Sequence, residues 1–105
     1  MKKTITIDGH EMEFAANAAT PIRFKQIFGE DIMKIAQDEN EYYGTVTKLA
    51  YIMHAQAEGK GYKSMSFDAF AEWLEGFSAM AFINHADEII GIWANSEETK
   101  SRPKK

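Results

Sequence analysis

The most informative segment of the chain lies near its N-terminus and reads KTITIDGHEMEF at residues 3–14. Asp8-Gly9 is a two-residue turn that suits the twist of paired strands, because Gly accepts a positive φ at little cost. Such a turn pairs Ile7 with His10 and continues into an antiparallel hairpin. Since side chains alternate across a strand, one face should be apolar and the other polar. The apolar face comprises Ile5, Ile7, His10, Met12 and Phe14.

Helices are needed beside this hairpin, because two strands alone are only marginally stable in water. Thr20-Pro21 is typical of an N-cap followed by the first helical position. Gly29 suits the position just past the end of that helix. A second short helix is predicted over residues 30–37.

Three further helices are predicted from apolar spacing, over residues 39–57, from Ser66 to about residue 78, and over 79–94. The first has its buried stripe at Tyr42, Val46, Leu49, Ala50, Met53 and Ala57. Ser66 serves as N-cap of the second, whose stripe is Phe67, Phe70, Leu74 and Phe77, with Trp73 beside it. The third has its stripe at Ala79, Phe82, Ile83, Ala86, Ile90 and Trp93. The predicted fold is mostly α, with an N-terminal β-hairpin packed on a bundle of about four to five short helices.

The domain organisation follows from length and composition. A chain of 105 residues, 45% of them hydrophobic, fits one globular core. We expect a single helical domain with the hairpin at residues 1–95. Residues 96–105 contain no apolar side chain, and we expect them to form a disordered basic tail. Because basic residues concentrate in this tail while the net charge is −4, the body is acidic, which argues against a nucleic-acid-binding face.

The sequence offers no recognisable chemistry. The absence of cysteine excludes disulfides and thiol catalysis. Residues 59–64 lack the Lys-Ser/Thr pair of a phosphate-binding loop, and residues 38–49 lack the Gly and Glu of a calcium loop. His10, His54 and His85 form no metal-ligand pair. We expect no enzyme activity, cofactor or metal, and the lack of a signal peptide or membrane span predicts a cytoplasmic protein.

An apolar surplus is the more informative feature. Tyr51 and Ile52 lie off the main stripe of their helix, while Ile89 and Ile92 flank that of theirs. An exposed apolar patch rimmed by polar residues marks an interaction site. The alternative, that all these residues belong to the core, is equally open. The candidate partner-binding residues are Tyr51, Ile52, Ile89, Ile92 and Trp93.

A family resemblance rests on residues 4–14 and 19–31, on shorter matches further along, and on the terminal Arg-Pro-Lys-Lys. Its distinctive segment is TPIRFKQIFG at residues 20–29, whereas the loop at 59–65 has no counterpart. The shorter matches are Leu49-Ala50-Tyr51-Ile52-Met53, Trp73-Leu74 and Ile92-Trp93. On these residues the chain resembles the short tail assembly chaperones of long-tailed phages and prophages of Gram-positive bacteria.

The resemblance implies a non-enzymatic chaperone that binds the tape-measure protein, keeps it soluble during tail assembly, and is absent from the mature virion. It also implies action in the cytoplasm of the bacterial host, and it brings no catalytic residues. Such families often make a longer frameshifted product. Two other classes stay open: a small nucleic-acid-associated regulator using the basic tail, and an unrecognised enzyme. Self-association also stays open, because the edges of the hairpin are free.

Overall fold

The computed structural model describes residues 2–99 of the chain, without the side chains of residues 62 and 96–99. Strands β1 (Lys2–Ile7) and β2 (His10–Ala15) form an antiparallel hairpin. The pairing of Ile7 with His10 confirms the predicted register, as do the pairs Ile5 with Met12 and Lys3 with Phe14. The turn places Asp8 at φ 53° and Gly9 at φ 81°, the left-handed conformation that this turn requires.

Five α-helices follow the hairpin, which confirms the predicted mostly helical fold with an N-terminal hairpin. They are α1 (Thr20–Phe28), α2 (Ile32–Ile35), α3 (Tyr42–Ala57), α4 (Phe67–Leu74) and α5 (Ala86–Thr99). Short 3₁₀ turns precede α3 at Glu39–Glu41, α4 at Tyr62–Ser64 and α5 at Ile83–His85.

Helix α3 is the centre of the molecule, and β2, α1 and α5 all pack on it. The apolar face of the hairpin supplies Ile5, Ile7, Met12 and Phe14 to the core, as predicted. His10 shares that face of the sheet but is exposed, with its ring in edge contact with Phe77 at 5.7 Å. It lies beside the turn, opposite the fully buried Ile7.

Side-chain and glycine caps set several helix ends. The N–H of Ala69 donates to the Ser66 hydroxyl at 3.0 Å, which confirms Ser66 as the N-cap of α4. Gly29 ends α1 at φ 71°, as predicted. The N-cap of α1 is Ala19, one residue before the predicted Thr20. Thr20 is fully buried instead, because its hydroxyl accepts the N–H of Asn17 and donates to Gln56.

The last helix differs most from its prediction. Residues 79–82 form a turn, so α5 begins at Ala86 rather than at residue 79. It continues through Thr99, so residues 96–99 are helical instead of belonging to the predicted disordered tail. No Gly or Pro interrupts the chain between Ala94 and Thr99, which explains the longer helix. The predicted disorder of residues 100–105 lies outside the described residues.

Candidate interaction surface

The five residues predicted to bind a partner all lie in the core. Tyr51, Ile52, Ile89, Ile92 and Trp93 are buried, and Ile52 and Ile89 have no exposed surface at all. The expectation that they form an accessible apolar patch is therefore wrong. A partner cannot reach Ile52 or Ile89 without opening the core.

The reason is different for each helix. Helix α3 has neighbours on several sides, so nine of its residues are buried rather than one stripe. In α5 the buried face is wider than the predicted stripe, because Ile89 and Ile92 are buried beside the predicted residues Ala86 and Trp93. Ile90, which was predicted in the stripe, is only half-buried.

Exposed large apolar side chains lie elsewhere on the molecule. Tyr42 and Tyr43, which are 43% and 47% exposed, lie in the first turn of α3, and Met80, which is 52% exposed, lies in the loop that Tyr43 contacts. Three others are separate in sequence: Ile22, Met33 and Phe67. The predicted buried stripe of α3 includes Tyr42, which is exposed instead, and the sequence pattern assigns no role to Tyr43 or Met80. The sequence signal for these residues is their position beside polar segments, in the first turn of a helix and in an interhelical loop.

A hydrogen bond links Tyr43 to the loop that carries Met80. The hydroxyl of Tyr43 donates to the carbonyl oxygen of Ala79 at 2.8 Å, which ties the first turn of α3 to the loop that carries Met80. The N–H of Asn84 donates to the carbonyl oxygen of Met80 at 3.0 Å and closes that loop. We call Tyr42, Tyr43 and Met80 the tyrosine–methionine patch.

A shallow cleft of ≈ 270 Å³ adjoins the patch. Its lining residues are Tyr42, Ile83, Asn84, His85, Ala86, Asp87 and Glu88. The ring nitrogen Nδ1 of His85 lies 2.8 Å from Oε1 of Glu88, so these two polar side chains satisfy each other. The cleft thus offers Tyr42 and Ile83 as apolar surface and Asp87 as a free carboxylate beside them.

Carboxylates surround the patch on its α2 and α3 side. Glu39 and Glu41 lie in the 3₁₀ turn just before α3, and Asp38 caps that turn through the N–H of Asn40 at 2.9 Å. Acidic groups are favourable at a helix N-terminus because of its partial positive charge. A second cleft of ≈ 370 Å³ continues from Glu41, and its other lining residues are Glu30, Asp31, Lys34, Ile35 and Asp38. This end of the molecule is therefore acidic.

Phe67 marks the exposed end of a chain of aromatic contacts. Its ring centroid lies 6.3 Å from that of Phe28 and 5.7 Å from that of Phe70. The chain continues inward through Tyr51 and Trp73 to Phe82. Phe67 is thus anchored on core rings and contributes to stability as well as to the surface.

A further cleft lies at the other end of α3 and is lined by Tyr51, His54, Ala55, Glu58, Lys60 and Trp73, with a volume of ≈ 200 Å³. His54 Nδ1 donates to the carbonyl oxygen of Glu13 at 2.8 Å, and its Nε2 lies 3.2 Å from Glu58. The imidazole also stacks on Trp73 at 5.9 Å. Both ring nitrogens are therefore engaged, and His54 fastens β2 to α3.

Tyr51 also lines this cleft, and its phenol hydroxyl stays protonated at neutral pH. Burial raises the pKa of its hydroxyl, and a hydrogen bond with the backbone of Ser66 opposes this effect only in part. A nucleophile paired with a free general base is not found among the groups that line the cleft, and acid–base catalysis needs such a pairing in hydrogen-bond reach.

Among the side chains that the structure describes, no group of three or more His, Asp or Glu is placed to hold a metal ion. None of the helices between residues 2 and 99 combines the length and apolar character that crossing a bilayer takes. The tyrosine–methionine patch with its acidic surroundings is thus the strongest candidate site.

Comparison with protein-family models, with curated proteins and with solved structures finds no match to this chain.

Proposed function

We propose that this chain is a non-enzymatic chaperone of phage tail assembly, which binds the tape-measure protein and keeps it soluble. It would act in the cytoplasm of the bacterial host and be absent from the mature virion. The observation that carries the proposal is the tyrosine–methionine patch. Tyr42, Tyr43 and Met80 expose large apolar surface in one region of the molecule. Contiguous apolar surface with a polar rim is the common sign of a protein-binding site.

The segment that carries the family resemblance also corresponds to one element of the fold. Residues 20–29 form α1 together with its closing residue. Phe24 is fully buried in this segment, and Gly29 takes the left-handed conformation that ends the helix. Thr20 fastens the start of α1 to Gln56 at the end of α3 through a hydrogen bond of 2.7 Å. The resemblance therefore coincides with one complete helix and its anchors.

The proposed mechanism uses many weak contacts. A small patch of three large side chains gives low affinity for any single apolar segment of a client. Several copies of the chaperone along one long client would together keep its apolar faces covered, because linked binding events reinforce one another. Weak individual contacts also allow the copies to leave when the client assembles into the tail.

Co-expression with the tape-measure protein of the same genome tests this function. We expect the client to stay in the soluble fraction and to co-purify with several copies of this chain. Expression of the client alone, and with an unrelated acidic helical protein of similar size, provides the controls. A client that precipitates equally in all three cultures would overturn the proposal.

A further inference from the structure

We propose that the tyrosine–methionine patch is the docking surface for a basic amphipathic helix of the client. This inference rests on the proposed function and deepens it, because it names both the surface and the chemistry of the segment that is bound. Its apolar component is the exposed surface of Tyr42, Tyr43 and Met80. Aromatic and methionine side chains are enriched in protein interfaces, where they fill pockets of the partner.

The patch is held in shape before any partner arrives. The hydrogen bond from the Tyr43 hydroxyl to Ala79 fixes one aromatic ring and the loop beside it. Ile83, half-buried at the edge of the core, lines the cleft between the first turn of α3 and the start of α5. A surface that needs little ordering loses less free energy on binding than a flexible one.

Charge argues for a basic partner. Glu39 and Glu41 lie on one side of the patch and Asp87 on the other, and none of them has an ion-pair partner within 4.0 Å in the described part of the chain. Lys48, on the same helix as the two tyrosines, is already paired with Glu30 at 2.6 Å, and Lys34 lines the cleft that continues from Glu41. A segment with Lys or Arg beside its apolar stripe would complement these free carboxylates.

The surroundings of the patch also favour a helix over an extended peptide. The patch and its adjoining cleft are built from the first turn of α3, a loop, the 3₁₀ turn before α5 and the start of α5, and a strand edge is not part of them. An extended peptide would therefore find no row of backbone groups to pair with. A helix satisfies its own backbone and presents apolar residues at spacings of three and four to a groove.

On the far side of α5 the charge is more balanced. Lys2 and Lys3 line a cleft together with Asp87 and Glu88. The excess of negative charge is thus greatest towards Glu39 and Glu41. We place the basic edge of the bound helix on that side.

A labelled peptide tests the surface without the client. The probe is a fluorescein-labelled amphipathic helix of about 18 residues, long enough to be helical once bound, with Leu on one face and Lys on the others. Its matched control carries Glu in place of every Lys. We expect the Lys peptide to bind in fluorescence anisotropy, more weakly as salt rises, and the Glu peptide not to bind.

The variant to compare is Tyr42→Gln/Met80→Gln, since both side chains are exposed and neither makes a described hydrogen bond. Truncating the centre of an interface commonly costs tenfold or more in affinity, so we expect Kd to rise by about tenfold. Ile22→Gln is the matched control, because Ile22 is 60% exposed. It lies near Thr20, which bonds to Gln56 at the opposite end of α3 from Tyr42. Circular dichroism checks that each variant is folded.

The same variants with the tape-measure protein separate the two proposals. If the wild-type chain binds the client and Tyr42→Gln/Met80→Gln binds it equally well, the surface is wrong and the function stands. If the wild-type chain binds the Lys peptide through the patch but not the client, the surface stands and the function is wrong. If the wild-type chain binds neither the Lys peptide nor the client, both the surface and the function are wrong. Loss of a dimer in the patch variant, measured by light scattering, would instead identify the patch as a contact between copies and overturn the inference.

Discussion

Asp8 and Ser78 are joined by two hydrogen bonds across a sequence separation of 70 residues. The backbone N–H of Ser78 donates to Oδ2 of Asp8 at 2.7 Å, and the hydroxyl of Ser78 donates to Oδ1 at 3.0 Å. Asp8 lies in the hairpin turn with φ 53°, and Ser78 lies in the loop between α4 and α5. The carboxylate therefore fastens the tip of the hairpin to the helical part of the molecule.

Replacing Asp8 tests this fastening. Asp8→Ala removes both acceptors and places a Cβ-bearing residue without a polar group at a positive φ. The lost bonds and the strain each cost about 1 kcal/mol, so we expect the free energy of unfolding to fall by about 2 kcal/mol. Asp8→Asn keeps one acceptor and tolerates the left-handed conformation, so its loss should be about half as large. Urea unfolding followed by circular dichroism measures both, and equal losses would contradict the explanation.

Substitutions of Ile52 and Ile89 distinguish a core role from a binding role. Because both side chains are fully buried, we expect Ile52→Ala and Ile89→Ala each to lower the free energy of unfolding by about 2–4 kcal/mol. Ile52→Asp should prevent folding, because an unpaired carboxylate cannot be buried. Thermal unfolding measured by circular dichroism gives the result. A folded Ile52→Asp protein that had lost only client binding would restore the interpretation of Ile52 as a surface residue.

The buried hydroxyl of Thr20 provides a third test. It accepts the N–H of Asn17 at 3.0 Å and donates to Oε1 of Gln56 at 2.7 Å. Thr20→Val keeps the shape but leaves these partners unsatisfied, so we expect a loss of about 1–3 kcal/mol in unfolding free energy. Thr20→Ser keeps the hydroxyl and should cost less. Chemical denaturation of the two variants side by side checks the order, and a more stable Val variant would contradict it.

Alkaline pH tests the environment of Tyr51. Burial raises the pKa of its hydroxyl above the ordinary value of 10.0. The folded state therefore holds this proton more tightly than the unfolded state does, so its contribution to stability is complete below pH 10 and is lost as pH rises through the folded pKa. We expect one late-ionising tyrosine in a titration of ultraviolet absorbance, and we expect Tyr51→Phe to remove it. An unchanged titration in Tyr51→Phe would disprove the assignment.

The hairpin and the helix caps are predictable from sequence because their signals are local. Asp8-Gly9 fixes the register of the whole hairpin, and a single residue at Gly29 or Ser66 fixes a helix end. These rules require only a few neighbouring residues. These features can therefore be predicted without any knowledge of the tertiary packing, and the structure confirms them at Asp8-Gly9, Gly29 and Ser66.

The exposed surface is not predictable in the same way, because it depends on how many neighbours each helix has. Tyr51 and Ile52 are apolar residues outside the main stripe of α3, and sequence alone does not show that other elements cover them. Likewise, the apolar spacing within α5 does not show that Ile89 is fully buried while Ile90 is only half-buried. The candidate site therefore emerges only when the core has been assigned residue by residue.

The packing of β2 on α3 has a consequence for when the protein folds during its synthesis. The ribosome produces the hairpin before the helix that covers its apolar face, which ends at Ala57, and before its second fastening point, Ser78. Until those residues emerge, Ile7 and Phe14 lack this cover. The nascent chain thus has apolar strands open to other molecules while the intervening residues are made, and we expect its folding to be completed only once the interhelical loop has left the exit tunnel.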